Sequence, residues 1–387
     1  MSSSIELIEE DKKNIVVNAG KRLLQKGLVE RTWGNVSIRL SKKAFAITPT
    51  GASYSSLNSS DIVEVDVTTL LYKGSRKPSS EVAIHLEIYN HYPNINFVLH
   101  THQRWASLIS LFFAGKMGFF NVPKHFKSAL SDKIASATYA EAGTKKIAEN
   151  VIVAFETYSN IPNNEVLKGA VLMASHGAIF FAENAQDAFN IAEQLEEFSK
   201  NIVLERLKTI NLHINFLATF NAETYSREDL NNKLISCPLS NFFRDIFCKV
   251  EAISYITLLR TPVSVYFSKI FRNYKKDDSN HFLAYFDDTS QIVGPFATFI
   301  SLPYDAKKIE LDNVEKISGV LILENCCVAS FSFDREEALC TASLFEKNIY
   351  AFLLALHDEN IKPLSFENAL SLHNSYIKGY SNLKNVT

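Results

Sequence analysis

The 387-residue chain is poor in glycine (13), and its five cysteines all follow residue 236 with no CxxC pair among them. That excludes a disulfide framework, and a reducing, cytoplasmic setting is expected. It has no charge of one sign in excess. Forty Lys and Arg stand against 42 Asp and Glu, for a net charge of -2, so no electrostatic footprint for nucleic acid exists and no such partner is expected. Long hydrophobic runs are missing too. The longest apolar stretch, around residues 108–114, is far too short to cross a bilayer. The opening MSSSIELIEEDKK has no apolar core, so neither a membrane partner nor a signal peptide is expected. What is present is an ordinary globular balance, 47% hydrophobic and 21% charged, which excludes wholesale disorder. The length suggests two or three domains.

Residues 5–26 read as an amphipathic helix with Ile8, Ile15, Val16, Ala19, Leu23 and Leu24 on one stripe and Gly27 as C-cap. Short strand-like runs follow at 35–40, 44–48 and 62–66. Pro78-Ser79-Ser80-Glu81 looks like a helix start with a Ser as N-cap, and the helix is expected to bury Val82, Ala83, Leu86 and Tyr89. Residues 95–99 form a strand leading into His100-Thr101-His102, and 104–114 look helical. A strand at 170–174 is interrupted by His176-Gly177, Phe180-Phe181 closes the hairpin, and a long helix runs from about 184 to 207. Strands and helices mixed in this way predict one α/β domain over residues 1–208.

His100-x-His102 is the sharpest local signal. Residues two apart on a strand point to the same face, so two imidazoles there can share one ion. His176 stands ready at the end of a second apolar strand, and Glu81 offers a carboxylate. Three His with an open position is the catalytic zinc pattern. His85, one turn beyond Glu81, reads as structural or supporting. Thr32-Trp33-Gly34-Asn35, Thr48-Pro49-Thr50-Gly51 and Ser79-Ser80 supply hydroxyls, small residues and free backbone N–H groups of the kind that suit a phosphate.

TWGNVSIR, TPTG, PSSE, HTH and SHG occur in the order and spacing of the class II aldolase/adducin family, which this sequence resembles over about residues 8–205. The resemblance implies a three-layer α/β fold, with a mixed, largely antiparallel sheet flanked by helices. It implies a metal held by His100, His102 and His176, with zinc as the expected ion and manganese or another divalent ion as the alternative. Glu81 is then the catalytic acid/base, and Thr32, Asn35, Thr50, Gly51, Ser79 and Ser80 bind phosphate. The function implied is cleavage of a small sugar phosphate by an aldolase through a zinc-stabilised enediolate. The alternatives are an epimerase, dehydratase or decarboxylase with the same site, or a non-catalytic adducin-like binding module. A homo-oligomer is implied as well. One departure stands out: no residue between HTH and SHG clearly supplies the further acid that some aldolases carry, with Lys124 and His125 as candidates, while Tyr139 matches a more general family tyrosine.

The second half echoes the first. The segment from Gly169 aligns without gaps to that from Gly319, the run from Pro78 to that from Pro238, and Val98 with Leu258. We read a tandem, degenerate aldolase-like pseudo-domain over 215–387. In this alignment Glu81 falls on Asn241, His100 on Arg260, His102 on Pro262 and His176 on Cys326, and counterparts of TWGNVSIR and TPTG are missing between 209 and 237. The cysteines are expected to be mostly core residues.

Overall fold

In a computed structural model of the protein, the first helix, α1 (Ser2–Gln25), forms where its periodicity places it and ends at Gly27 with φ 64°. Its buried side carries Val16, Val17, Ala19 and Leu23, whereas Ile15 is 41% exposed. The expected stripe is therefore corrected by one position, and the side chain of Ile8 lies outside the described residues. The structure describes residues 2–209, 214, 220–232, 239–249, 253–274, 281–301 and 318–384. The chain divides into two units, Met1–Arg206 and Leu207–Thr387.

In the first unit, β1 (Gly34–Arg39), β2 (Ala44–Ile47), β3 (Val63–Asp66) and β4 (Tyr72–Lys73) precede α2 (Val82–His91). Then come β5 (Phe97–Thr101), α3 (Arg104–Ser110), β6 (Gly118–Asn121), β7 (Lys133–Ala137), α4 (Lys145–Ser159), β8 (Lys168–Met173), β9 (Gly177–Ala182) and α5 (Ala185–Thr209). Nine strands form one sheet in the order β4-β3-β2-β1-β5-β9-β8-β7-β6. Every pair is antiparallel except β7 with β8. This is the mixed, largely antiparallel α/β sheet expected. On one face Ile84, Ile88 and Tyr92 of α2 and its end pack with Ile147, Val151 and Phe155 of α4 against Val98, Val171 and Phe181. The alternate residues Phe97, Leu99 and Phe180 are also fully buried, so the sheet is covered on both faces.

Two local expectations change. The strand expected at 95–99 runs to Thr101, which puts His100 inside β5. The N-cap of α2 is Glu81 rather than a Ser, with no side-chain cap bond. Ser79 instead accepts from the Glu81 N–H at 3.2 Å in the turn before the helix, which leaves the Glu81 carboxylate free to point inward. The fully buried side of α2 is Ile84, His85, Ile88 and Tyr89, and Val82, Ala83 and Leu86 are only partly buried.

The second unit contains β10 (Ala222–Ser226), α6 (Arg227–Asn232), α7 (Ser240–Lys249), β11 (Tyr255–Leu259) and α8 (Pro262–Tyr274). β12 (His281–Leu283), α9 (Asp287–Val293), β13 (Phe296–Ile300), β14 (Ser318–Leu323), β15 (Cys327–Ser332), α10 (Arg335–Ala355) and α11 (Phe366–Lys384) complete it. Its six strands run β10-β11-β15-β14-β13-β12. Set beside β1-β5-β9-β8-β7-β6, each junction has the same direction, including the single parallel pair β13–β14. The registers agree as well. Phe97 faces Ala182 as Tyr255 faces Ser332, Met173 faces Gly177 as Leu323 faces Cys327, and Ala137 faces Met173 as Ile300 faces Leu323. Ser175 and Asn325, in the equivalent hairpin turns, both have φ 58°.

These registers correct the sequence alignment. His176 still answers to Cys326, but His100 answers to Leu258 and His102 to Arg260, and Glu81, just before α2, answers to Leu239, just before α7. The pairing from sequence slipped by two residues because it anchored Pro78 on Pro238, which lies outside the described residues. β10 occupies the place of β1, so the TWGNVSIR strand does have a counterpart. Among the described residues no strand answers to β2, β3 or β4. Cys327 and Cys340 are buried and Cys326 is half-buried, whereas the side chains of Cys237 and Cys248 lie outside the described residues.

Candidate metal centre and active site

Four buried side chains meet at one point of the first unit. His100 comes from β5, His102 from just beyond it, His176 from the β8–β9 turn and Glu81 from the cap of α2, and their ligand atoms all lie within 4.8 Å of one another. The His100 and His102 Nε2 atoms are 2.9 Å apart, Glu81 Oε1 is 2.7 Å from His176 Nε2, and Glu81 Oε2 is 3.1 Å from His100 Nε2. Two glycines make this convergence sterically feasible. A Cβ on Gly177 would stand 2.2 Å from the Thr101 carbonyl oxygen, and one on Gly34, at φ 136°, would stand 2.7 Å from that of His100. Both neighbours of β5 can therefore close on it only because these residues lack a side chain.

The donor set fits a divalent metal ion. His100 Nδ1–H donates to the Ala178 carbonyl at 2.9 Å, which makes the Nε2 lone pair the one able to ligate an ion. That lone pair faces both a carboxylate oxygen and another imidazole nitrogen at about 3 Å. Electron-rich atoms held this close are stable around a cation, and three nitrogens with one oxygen suit zinc and related ions. Burial alone would raise the Glu81 carboxyl, but when the His100 and His176 rings carry protons in place of a metal ion, their charge and hydrogen bonds hold it well below the usual carboxylate range.

Behind Glu81 lies a ladder of polar side chains. Asn35 Nδ2 donates to Glu81 Oε2 at 2.8 Å, and Asn35 Oδ1 meets His85 Nε2. His85 Nδ1 is 2.6 Å from Ser37 Oγ, which is 2.8 Å from the Tyr89 hydroxyl. Burial drives His85 down to about 3, with His100 adding to the shift, so the ring is neutral. At the foot of the ladder Arg39 donates to the carbonyls of Ile95, Tyr89 and Tyr92 at 2.8, 2.9 and 3.1 Å. The sequence alone did not mark Ser37 and Tyr89 as members of this ladder. Their signal is the spacing: Asn35, Ser37 and Arg39 alternate on one strand face, and Glu81, His85 and Tyr89 recur every four residues along one helix stripe.

The loops expected to hold phosphate are brought side by side. Pro49 and Pro78 form a bridge, Thr50 N–H donates to the Lys77 carbonyl and Ser79 N–H to that of Thr48, both at 3.1 Å. Thr50, Gly51 and Ser80 are exposed beside the Glu81 cap, and Ser79 is buried. Asn35 sits apart from this arrangement in one respect: it is 3% exposed, with both ends of its amide turned to Glu81 and His85. Thr32 is half-buried in the turn before β1. Lys124 and His125 stand exposed on a short 3-10 turn, and Tyr139 follows β7.

The family model for the class II aldolase and adducin N-terminal domain matches residues 14–203. A 5-deoxy-D-ribulose 1-phosphate aldolase of Bacillus thuringiensis serovar kurstaki is 32% identical over 193 residues, which is 49% of this chain and 83% of that relative. The chain belongs to the class II aldolase and adducin family. It is an aldolase-like lyase of that family, and the Glu81–His100–His102–His176 group falls within the matched residues. Among solved structures, an L-fuculose 1-phosphate aldolase is 30% identical, covers 52% of this chain and 88% of its own, and has a TM-score of 0.45. An L-fuculose 1-phosphate aldolase from Thermus thermophilus is 22% identical, covers 51% and 94%, and has a TM-score of 0.42. Among the described residues no helix of this class II aldolase homologue is long and apolar enough to cross a membrane.

Proposed function

We propose that the first unit is a divalent-metal-dependent aldolase that cleaves a small ketose phosphate. The observation that carries this reading is the convergence of three imidazoles and one carboxylate within 4.8 Å, at a helix cap flanked by hydroxyl-bearing loops. His100, His102 and His176 would hold the ion, zinc by donor type with manganese as the alternative. When bound, it supplies Lewis-acid polarisation of a carbonyl group. Glu81 would take a proton from the carbon beside that carbonyl in the direction of bond formation, and return it to the same carbon in cleavage. The Thr50–Gly51 and Ser79–Ser80 segments would fix the phosphate by hydroxyls and backbone N–H groups, so that its binding energy orients the reacting carbon against Glu81.

The reading is tested by presenting metal-loaded protein with a panel of phosphorylated ketoses and following aldehyde release. Cleavage of at least one ester, lost on chelation and restored by metal, is the expected result. A fully loaded protein that cleaves none of them rejects it.

The second unit is read as a copy of the first that has lost this chemistry. Equal strand order, direction and register support a common origin. At the positions of Glu81, His100 and His176 stand Leu239, Leu258 and Cys326, which pack into one hydrophobic cluster with Phe243, Leu321 and Leu323. Where the first unit gathers ligands, the second gathers apolar packing, and each chain would carry a single ion.

A further inference from the structure

We propose that Tyr89, Ser37, His85 and Asn35 form a one-way hydrogen-bond relay that positions Glu81, pinning Oε2 and leaving Oε1 as the atom that moves the proton. The proposal deepens the reading above, since it rests on Glu81 as the acid/base.

The direction of every bond follows from one end. Asn35 turns its amide nitrogen, which can only donate, to Glu81 Oε2 at 2.8 Å. The Asn35 carbonyl oxygen then faces His85, and an oxygen can only accept, so His85 carries its hydrogen on Nε2. Nδ1 of the neutral ring is therefore a lone pair and takes the Ser37 hydroxyl hydrogen. Ser37 has then committed its only hydrogen, so Tyr89 donates to it. Each group donates toward Glu81, and each bond polarises the next. A proton on Oε2 would set an O–H against the Asn35 N–H, and relieving that clash would require reversing the Asn35 amide, the His85 tautomer and two hydroxyls in a buried site. Oε1, turned toward His176 Nε2 at 2.7 Å, takes no part in this ladder.

The second unit separates this role from simple helix-to-strand packing. There Arg227 keeps the bond that Arg39 makes, donating Nε to the Ile253 carbonyl at 2.7 Å. The ladder itself is gone. The positions of Asn35, Ser37, His85 and Tyr89 hold Glu223, Tyr225, Phe243 and Phe247, and Phe243 and Tyr225 join the apolar cluster. A helix docks on the equivalent strand without the relay, and the relay disappears together with the residues it would serve.

The test uses the full metal-loaded chain and three variants, His85→Gln, Ser37→Ala and Tyr89→Phe, with His85→Leu as the severe case. The readouts are the His85 tautomer by nitrogen NMR, the exchange of the carbon-bound hydrogen of dihydroxyacetone phosphate with deuterated water, kcat and KM for the cleaved ester, and metal per chain. The expected results are an Nε2–H tautomer and a kcat and exchange rate reduced about ten- to a hundredfold in His85→Leu. KM and bound metal stay near wild type. Ser37→Ala and Tyr89→Phe show smaller, graded losses, and His85→Gln, which keeps a donor toward Asn35, recovers much of the rate. An Nδ1–H tautomer overturns the relay whether or not the protein turns over. So do unchanged exchange in folded Ser37→Ala and His85→Leu, or losses that track melting temperature alone with no recovery in His85→Gln. A wild-type protein that shows the Nε2–H tautomer but never exchanges the substrate hydrogen overturns instead the aldolase reading, and with it the role given to the relay.

Discussion

Arg227 stands in the second unit where Arg39 stands in the first: each sits at the end of its strand and donates Nε to the carbonyl of an isoleucine two residues ahead of the next strand, Ile253 at 2.7 Å and Ile95 at 2.8 Å. A guanidinium is the one side chain with enough donors to serve several carbonyls from a fixed plane. Arg39 uses this reach fully, adding the carbonyls of Tyr89 and Tyr92 and stacking over the Tyr89 ring at 4.6 Å. Arg39→Lys is expected to destabilise the first unit by about 2 kcal/mol, because carbonyls at the end of α2 lose partners. Thermal unfolding of the variant checks this, and an unchanged midpoint would remove Arg39 from the account.

Metal content should be one equivalent per chain. His176→Ala is expected to lower it well below one, since it removes a nitrogen from the cluster, whereas Cys326→Ala should leave it unchanged. Elemental analysis decides. A second tight equivalent that is lost with Cys326→Ala would show that the second unit still binds metal.

Glu81→Gln should abolish turnover while the protein still folds and holds its ion. The amide matches the carboxylate in shape but cannot exchange the proton, and losing an acid/base costs about a hundredfold or more. Steady-state rates on the cleaved ester, with metal analysed alongside, are the measurement. A near-normal rate would move the chemistry elsewhere.

A ketose phosphate should be a better substrate than the free ketose, through Thr50, Gly51, Ser79 and Ser80. Ser80→Ala and Thr50→Val are expected to raise KM for the ester and to leave the free sugar unaffected. Equal kcat/KM for ester and free sugar would reject the phosphate cradle.

His85 ties stability to pH. Its ordinary value of 6.5 falls to about 3 on burial in the folded chain, so the unfolded chain takes up the proton first as pH falls. Stability is therefore full above about pH 6.5 and declines from there toward pH 3, by about 5 kcal/mol if this group acts alone. Glu81 opposes the shift and His100 reinforces it. In denaturant titrations of the metal-free protein, His85→Gln is expected to flatten this acid limb. A limb of the same slope would assign it to other groups.

The convergence of Glu81, His100, His102 and His176 was legible in the sequence because these residues lie on short, regular pieces. His100 and His102 are two apart on a strand, His176 interrupts a hairpin, and Glu81 begins a helix. The ladder was not legible in the same way. Asn35 looked like an anion ligand because it sits beside Trp33 and Gly34, and only the docking of α2 on β1 shows its amide facing Glu81 and His85. The N-cap expectation failed for a related reason, since a Ser that bonds the N–H of Glu81 cannot be told from a true cap without the backbone angles. The two-residue slip in the tandem alignment had another source. Proline is a salient anchor in a sequence, whereas strand register is set by buried neighbours that a linear alignment does not contain.

Matching registers in one chain raise a problem of identity during folding. Backbone geometry alone would let β11 enter the first sheet beside β9, or β5 enter the second beside β15, and neighbouring domains of like topology are prone to such exchange. Side chains supply the address. His100 carried into the second sheet would lie among Leu239, Leu321 and Leu323 with neither Glu81 nor His176 beside it, and burying the polar ring there costs on the order of a few kcal/mol. Leu258 carried into the first sheet would face the Glu81 carboxylate and the His176 imidazole, with Arg260 in the place of His102. The difference between these side chains thus leaves each strand able to settle only in its own sheet, and a variant that placed the first unit's Glu and His residues in the second would be expected to misassemble more often as it left the ribosome.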